Sequence, residues 1–118
     1  MPNITTVNNL QGETAGYAVT AGGSADVAAG AGTLETHKVN ALLITNDSTS
    51  ADAVVDVSFN DGSDNFVFAN EITIPQGAAL DVLSAPMYLN NGEKLVVAAS
   101  SAAAVTVVAS WENLTTTS

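Results

Sequence analysis

The side chains of this chain that could take part in chemistry are carboxylates, one histidine and one tryptophan. The run Asn60-Asp61-Gly62-Ser63-Asp64-Asn65 offers oxygen ligands and a glycine, as calcium loops do, but the full loop spacing with a terminal glutamate is missing. Asp and Asn are also favoured in hairpin loops, because their side chains bond to nearby backbone groups. We therefore interpret this run as a structural turn and predict no metal ligands in it.

A second acidic group consists of Asp47 and Asp52, with Asp56 nearby. Its carboxylates could share a cation if the group lay between subunits. Carboxylates in and beside a turn are more typical of a solvated loop, because Asp is rarely buried without a partner. The solvated loop is the interpretation we prefer, and no metal site is predicted here either.

Catalysis has little support in the sequence. A Ser-His-Asp relay would have to use His37, the one histidine, and no nucleophile-elbow sequence is present. The 12 Asp and Glu residues make a pair of carboxylates available almost anywhere, so they indicate nothing about glycoside hydrolysis. No glycine-rich loop joins a strand to a helix in the arrangement that cradles phosphate. We predict no catalytic residues, no cofactor and no enzymatic activity, and we interpret His37 as an exposed or hydrogen-bonded side chain.

The charge of the chain excludes two classes of partner. The 118 residues include 12 Asp and Glu, two Lys and no Arg, for a formal net charge of −10. Two lysines cannot replace the counterions on a nucleic-acid backbone, and the same sign disfavours anionic membrane surfaces. No apolar segment is long enough to span a membrane, and residues 1–6 lack the basic and apolar regions of a secretory signal. We predict neither a nucleic-acid nor a membrane partner.

Short alternating segments separated by turns predict an all-β fold. Ala53–Asn60 alternates apolar and polar residues, and residues 60–65 form the loop of a hairpin whose returning strand begins at Phe66. Many short strands joined by turns indicate an antiparallel β-sandwich of jelly-roll type. The strands predicted after residue 34 are 39–45, 53–60, 66–70, 71–74, 80–83, 87–89, 94–99 and 105–112.

Residues 1–33 differ from the rest, because they are rich in glycine and poor in large apolar side chains. We predict an extended glycine-rich N-terminal arm with one or two short strands, at residues 17–20 and 25–28. Disorder of the whole segment is the alternative. Residues 34–114 then form the β-sandwich domain, and residues 115–118 form a polar tail.

The arm carries apolar residues that are spaced like anchors along an extended chain. An extended segment can add to the sheet edge of another subunit, where main-chain bonds give affinity and side chains fill pockets. We therefore expect residues 1 to about 16 to pack on another subunit and not on their own sandwich. The predicted partner-binding residues of the arm are Ile4, Val7, Leu10 and Tyr17.

The alternation of the strands predicts which residues form the core. Val55, Val57 and Phe59 share one face of their strand and should be buried, and the other phenylalanines are assigned mostly to the core in the same way. Trp111 is in phase with Val107, which predicts a place in the core or at its edge. The alternative for Trp111 is an interface anchor, because tryptophan is enriched at binding hot spots.

A series of turns follows a fixed order between Leu34 and Leu114. A strand ends in Thr45-Asn46-Asp47-Ser48. Ile72-Thr73-Ile74-Pro75-Gln76-Gly77 and a short strand around Leu80 follow, then Asn90-Asn91-Gly92-Glu93-Lys94-Leu95, and residues 102–107 close the series before Trp111. This order resembles a class of small β-sandwich structural proteins of tailed bacteriophages, and the resemblance covers about two-thirds of the chain.

The resemblance implies a structural virion protein, with no functional residue carried over from the family. The member type implied first is a capsid decoration, or cement, protein that binds the outer capsid surface, stabilises the shell and is made in the host cytoplasm. Its partners would be capsid protein subunits and other copies of itself, as a trimer. The alternative within this class is a tail, neck or fibre-base accessory protein. An alternative from another class is a carbohydrate-binding β-sandwich module, which would need exposed aromatic side chains beside polar groups.

Overall fold

The computed structural model describes residues 9–116, and within this range it contains β-strands, turns and loops. No helix long and apolar enough to cross a membrane occurs among these residues. The strands are β1 (Asn9–Val19), β2 (Ser24–Val27), β3 (Glu35–Thr45), β4 (Ala53–Asn60), β5 (Asn65–Ile74), β6 (Ala79–Asp81), β7 (Met87–Leu89), β8 (Lys94–Ala99) and β9 (Val105–Thr115). The prediction of an all-β fold is confirmed.

The strands form two antiparallel sheets. Sheet I has the order β1-β9-β3-β6, with β7 also paired to β3, and sheet II has the order β2-β8-β4-β5. The strand β6 pairs with residues 43–45 of β3 and β7 with residues 37–39, so the two act as one interrupted strand. Counted in this way, eight strands form two four-stranded sheets with the strand order of a jelly roll, as the turn pattern predicted.

The hydrophobic core lies between the two sheets and is aliphatic. Its largest fully buried side chains come from both sheets and include Leu42 and Ile44 of β3 and Leu95 of β8. The predicted core positions Val55 and Val57 are 1% and 0% exposed. Phe59, expected on the same face, is only partly buried and packs against the core. A register shift between Val57 and Ser58 precedes it on β4, so the regular alternation that predicted its full burial does not continue to Phe59.

The N-terminal region is part of the sandwich. β1 pairs with β9 in an unbroken register from Asn9, opposite Thr115, to Val19, opposite Val105, and Val19 is 1% exposed. The expectation that residues 1 to about 16 do not pack on their own sandwich is therefore wrong for residues 9–16, and an extended arm is not confirmed. Residues 1–8 lie outside the described residues.

Two further boundaries of the sandwich also lie beyond those predicted. β2 pairs with β8 over Ser24–Val27, and Val27 is fully buried. At the other end of the chain β9 continues to Thr115, and Thr116 is buried beside it. The sandwich therefore includes residues on both sides of the predicted 34–114 domain, with β1 and β2 before it and the end of β9 after it.

Asn46 connects two turns at one end of the sandwich. Its side chain is fully buried, and its Nδ2 donates hydrogen bonds to the carbonyls of Ala51 and Ile74, both at 2.9 Å. Its backbone N–H donates to the carbonyl of Ala78, and its own carbonyl accepts from the N–H of Gly77 at 2.7 Å. One buried amide thus holds the β3–β4 and β5–β6 turns together, since a buried polar side chain without such partners would be destabilising.

The predicted hairpin between β4 and β5 is confirmed, with Asn60 directly opposite Asn65. The returning strand is longer than expected, because the segments predicted at residues 66–70 and 71–74 join into one strand, β5. Two irregularities interrupt its register with β4, one on each side of the pair Val57–Ala69. Glu71 lies at one of them with a φ of 52°, a left-handed conformation that non-glycine residues adopt mainly at such bulges.

Candidate subunit-binding surface

The predicted arm residues fall into two groups. Ile4 and Val7 lie outside the described residues. Leu10 is 57% exposed near the start of β1, whereas Tyr17 packs against the core of its own sandwich and its hydroxyl accepts a hydrogen bond from the N–H of Ala28 at 3.1 Å. A partner-binding role for these residues stays a prediction, and among the described ones Leu10 has the exposure that such a role needs.

Trp111 belongs to the core, as its phase with Val107 predicted. It is 7% exposed, and its indole Nε1 donates a hydrogen bond to Glu13 Oε2 at 3.1 Å. Its ring packs at a tilt on that of His37, with centroids 5.5 Å apart. Because Glu13 lies directly opposite Trp111 on β1, this contact ties the edge strand to the sheet. The alternative role of Trp111, an interface anchor, stays a prediction.

His37 is buried and hydrogen-bonded. Its Nδ1 lies 2.7 Å from the carbonyl oxygen of Ala28, and since a carbonyl can only accept, Nδ1 carries the proton. Ala28 itself has a φ of 55°, so this bond helps to hold an unfavourable backbone conformation in the loop after β2. This environment is that of a structural histidine with one satisfied ring nitrogen.

The acidic residues singled out in the sequence bond to backbone groups of turns. Asp61 Oδ1 accepts from the N–H groups of Asp64, at 2.8 Å, and Ser63, at 3.0 Å, and these bonds lower the pKa of Asp61 below its usual value. Asp56 Oδ1 accepts from the N–H of Glu71 at 2.6 Å. Within residues 9–116 no cluster of three or more His, Asp or Glu side chains is placed to hold a metal ion.

Asp52 and Asp56, two members of the second acidic group with Asp47, accept hydrogen bonds from different parts of the chain. Asp52 Oδ1 accepts from the N–H of Gln76 at 3.3 Å, in the turn that precedes β6. Asp56 instead reaches the irregular part of β5. These two carboxylates, which are close in the sequence, therefore make separate contacts, one with a turn and one with the bulge of β5, which is consistent with the solvated-loop interpretation.

The most apolar exposed segment of the described residues lies on β5. Phe66 and Val67 are each 55% exposed and Phe68 is 38% exposed, and we call these three residues the β5 patch. Phe66 also packs on Phe59 of β4, with ring centroids 6.4 Å apart and nearly parallel planes. The prediction that the phenylalanines lie mostly in the core is therefore wrong for Phe66 and Phe68.

The position of β5 explains this exposure. β5 is the last strand of sheet II and pairs with β4 alone, so one side of it has no neighbouring strand. Three consecutive large apolar residues cannot all point inward from a strand, because successive side chains point to opposite faces. This run of three was the signal in the sequence that could have indicated an exposed apolar surface.

The edge at β1 has a different character. It also pairs with a single strand, β9, but its register is regular over its whole length. The outward-facing residues Gly12, Thr14 and Gly16 are small, and Glu13 is its one charged residue. Such an edge presents a row of backbone groups, whereas the β5 patch presents side chains.

These surfaces can bind a protein partner. A contiguous exposed apolar patch is a common mark of an interaction site. Phe side chains that are more than one-third exposed can bury substantial area against a complementary surface. The β5 patch is therefore a candidate contact surface for another protein.

No protein-family model and no curated protein sequence matches the chain. Among solved structures it is similar to a protein from a study of Bacillus endospore appendages, described as a novel family of disulfide-linked pili. The TM-score is 0.50 and the identity 16%, over 92% of this chain and 89% of that one. This likeness supports the two-sheet fold.

Two phage proteins are also among the similar structures. One is a pentameric capsid protein from metagenomic phage sequences, with a TM-score of 0.40 and 21% identity over 83% of this chain and 60% of that chain, so this chain is matched to about three-fifths of it. The other comes from the acidic stable capsid structure of Helicobacter pylori bacteriophage KHP30, with a TM-score of 0.41 and 14% identity over 90% and 93% of the two chains. These three structural neighbours are thus phage capsid and pilus proteins.

Proposed function

We propose that this chain is a structural protein of a phage virion, a capsid decoration protein that binds the outer surface of the shell through the β5 patch. The observation that carries the proposal is the exposure of Phe66, Val67 and Phe68 on an edge strand. The order of turns and strands between Leu34 and Leu114, which resembles small phage structural proteins, supports the phage assignment. The net charge of −10 is consistent with a place outside the shell, away from packaged DNA.

The mechanism is mechanical. A sandwich whose turns are tied by buried groups such as Asn46 behaves as a rigid block. Seated across a junction between capsid subunits, it opposes their separation. Many copies, each bound with moderate affinity, together make the shell resist internal pressure, because linked contacts raise the effective concentration of one another. Self-association, expected as a trimer from the resemblance, would add to this linkage.

Quantitative mass spectrometry of purified virions tests the class and the location. Hundreds of copies per particle are expected of a decoration protein, about a dozen of a neck protein, and none of a protein unrelated to the virion. A count near a dozen would favour the tail, neck or fibre-base alternative, and absence from virions would overturn the whole class.

Co-sedimentation with capsids that lack the protein tests the surface. Phe66→Ser/Phe68→Ser should abolish binding, since it removes both aromatic side chains of the patch. The matched control is Leu43→Ser/Val108→Ser, which changes two apolar residues that are 40% and 38% exposed on sheet I. A role for the β5 patch would be contradicted if both double variants lost co-sedimentation to the same extent, or if neither variant lost it.

A carbohydrate-binding module is the second candidate, and one observation favours it. Phe66, Phe68 and Tyr88 are exposed aromatic residues, and Asn65 and Asn70 lie beside the phenylalanines on β5. Aromatic rings beside amides can bind sugars through stacking and hydrogen bonds. Glycan-array binding that is lost in Phe66→Ser/Phe68→Ser would favour this candidate, particularly if the protein were absent from virions.

A further inference from the structure

The β5 patch is bordered by carboxylates on both sides. Asp61 and Asp64 lie in the hairpin loop that precedes it, and Glu71 follows it on the same strand. Asp56 of β4 joins the second border, because its Oδ1 accepts the backbone N–H of Glu71 at 2.6 Å. An apolar surface with negative borders favours a partner with the opposite charge at the matching positions.

The basic side chains of the chain do not supply such charges. It contains two lysines and no arginine, and both lysines are already paired. Lys94 Nζ lies 2.9 Å from Asp26 Oδ2 on β2, and Lys38 Nζ lies 3.8 Å from Glu112 Oε1 on β9. Lys94 is opposite Asn60 in the sheet, yet its ammonium group is directed to β2, on the side of β8 away from β5.

The shape of β5 also limits how a partner can bind. Continuous strand addition needs a regular row of backbone groups, and two register shifts interrupt β5 on either side of the pair Val57–Ala69. Bulges of this kind are one way in which natural sheets block edge-to-edge pairing. Recognition at β5 therefore depends on the side chains of the patch and on their charged borders.

We propose that the β5 patch binds a different protein, one whose apolar contact surface is bordered by Lys or Arg, and that it does not bind a second copy of this chain. Two copies meeting at β5 would bring two sets of borders together, each formed by Asp56, Asp61, Asp64 and Glu71, with no lysine to separate them. Like charges held close together oppose association. The proposal deepens the proposed function, since the partner would then be a capsid protein with a basic contact region, and the trimer would use another surface.

The test uses two synthetic peptides with the same core of alternating valine and threonine. One peptide carries two lysines at each end, and the other carries two glutamates at each end. Titrated into the ¹⁵N-labelled full chain, the lysine peptide should shift the amide resonances of residues 65–71 and bind at least tenfold more tightly than the glutamate peptide. Its affinity should fall as salt is raised, because the attraction is screened.

Two variants make the result specific. Phe66→Ser/Phe68→Ser should remove binding, whereas Leu43→Ser/Val108→Ser should leave it unchanged. Asp64→Lys/Glu71→Lys should remove the wild-type preference, so that the two peptides bind with similar affinity, because each border then carries one lysine beside one remaining aspartate. These two acidic residues are suitable because the hydrogen bonds that they make in the hairpin and at the bulge come from their backbone N–H groups.

Three results would overturn the inference. The wild type could bind both peptides with equal affinity, or it could bind neither peptide. It could also form a dimer in sedimentation velocity that Phe66→Ser/Phe68→Ser converts to monomer. The proposed function fails on a different result, the absence of the protein from virions. If the protein were absent from virions but still preferred the lysine peptide, the inference about the β5 patch would stand and the proposed function would be wrong.

Discussion

β1 and β5 are both edge strands, and in neither strand does the burial of the side chains simply follow their hydrophobicity. β1 has two glycines and few large apolar residues, yet it pairs with β9 along its whole length and contributes Val19 to the core. Near the start of β5, by contrast, Phe66, Val67 and Phe68 are all exposed. Both strands have a single neighbour in their sheet, so neither edge position nor a strand's own composition is enough to decide which of its side chains are buried.

The two edges also differ in what they offer to another molecule. β1 presents an unbroken row of backbone groups beside small side chains, and its one carboxylate, Glu13, is turned inward to Trp111. β5 presents apolar side chains between acidic borders, and its bulges interrupt the backbone row. A strand-like segment therefore suits β1, whereas an apolar surface with basic borders suits β5.

Deletion of residues 1–16 gives the largest expected effect on this comparison. It removes most of β1, uncovers one side of β9 and breaks the bond between Glu13 and Trp111. We expect the cooperative thermal transition to be lost, a cost of about 5 kcal/mol or more, which is the scale of the whole stability of a small domain. Deletion of residues 1–8 is the control, because it leaves β1 complete. A transition that survives the longer deletion unchanged would restore the arm hypothesis.

Phe59→Ala and Phe66→Ala compare a partly buried ring with an exposed ring across one hairpin. Truncation of a fully buried phenylalanine to alanine lowers the free energy of unfolding by about 3–5 kcal/mol. Phe59→Ala should therefore lower it by roughly half as much, because Phe59 is only partly buried. Phe66→Ala should cost less than about 1 kcal/mol. Urea denaturation of both variants measures the difference, and a larger loss at Phe66 would show that the ring is buried in solution.

Val19→Ala and Val67→Ala apply one substitution to both edges. Val19 is 1% exposed and Val67 is 55% exposed. Val19→Ala should lower the free energy of unfolding by about 1.5 kcal/mol, while Val67→Ala should stay within about 0.5 kcal/mol of wild type. Equal effects of the two variants in chemical denaturation would mean that β1 and β5 do not differ in packing.

Two glycine substitutions, one in β1 and one in the turn between β5 and β6, test the backbone through smaller effects on stability. A Cβ placed on Gly12 meets no heavy atom within 4 Å, so Gly12→Ala should stabilise the protein by about 0.5 kcal/mol through the unfolded state. Gly77 has a φ of +72°, and Gly77→Ala should destabilise it by about 1 kcal/mol. Destabilisation by Gly12→Ala would indicate that β1 is not an ordinary strand.

The smallest effect concerns the hairpin loop that leads into β5. Backbone N–H groups of Asp64 and Ser63 lower the pKa of Asp61 from its usual 3.8. A lowered pKa in the folded state means that the carboxylate stabilises the loop above the usual pKa and that this stabilisation is lost as the pH falls through the lowered value. After correction for the intrinsic pH dependence of amide exchange, the hydrogen-exchange protection of residues 61–64 should therefore fall at low pH in wild type.

In Asp61→Asn this pH dependence should disappear, because the amide does not titrate in this range. Asp64→Asn is the matched control, and it should keep the acid-induced change. A carboxyl-carbon NMR titration of Asp61 provides a direct reading of the same shift. A normal Asp61 pKa would show that the loop bonds do not persist in solution.

Local features of the fold were predictable from the sequence. The alternation of Ala53–Asn60, the polar loop before Phe66 and the turn ending at Gly92 predicted a hairpin and strands that the structure confirms. The burial of Val55, Val57 and Trp111 followed from strand phase. These predictions succeed because turn conformations and side-chain alternation depend on residues that are adjacent in the chain.

The assignments that failed depend on distant pairings. The candidate surface was missed because phase alone assigned Phe66 and Phe68 to a core, and phase does not reveal that β5 is the last strand of its sheet. The glycine-rich segment was separated from the sandwich because its own side chains could not hold it together. In the structure its partner is β9, at the opposite end of the chain.

The sequence by itself determined the class of fold, the positions of most turns and an acidic surface almost without cations, since these follow from local conformation and from counting charges. The tertiary structure alone decided which strands form the edges and which apolar side chains remain outside. Sheet neighbours are selected by packing and hydrogen bonding summed over the whole molecule. No local segment contains that sum, so the composition of β1 and β5 does not reveal that both are edge strands, that β1 pairs with β9, or that the aromatic residues of β5 stay exposed.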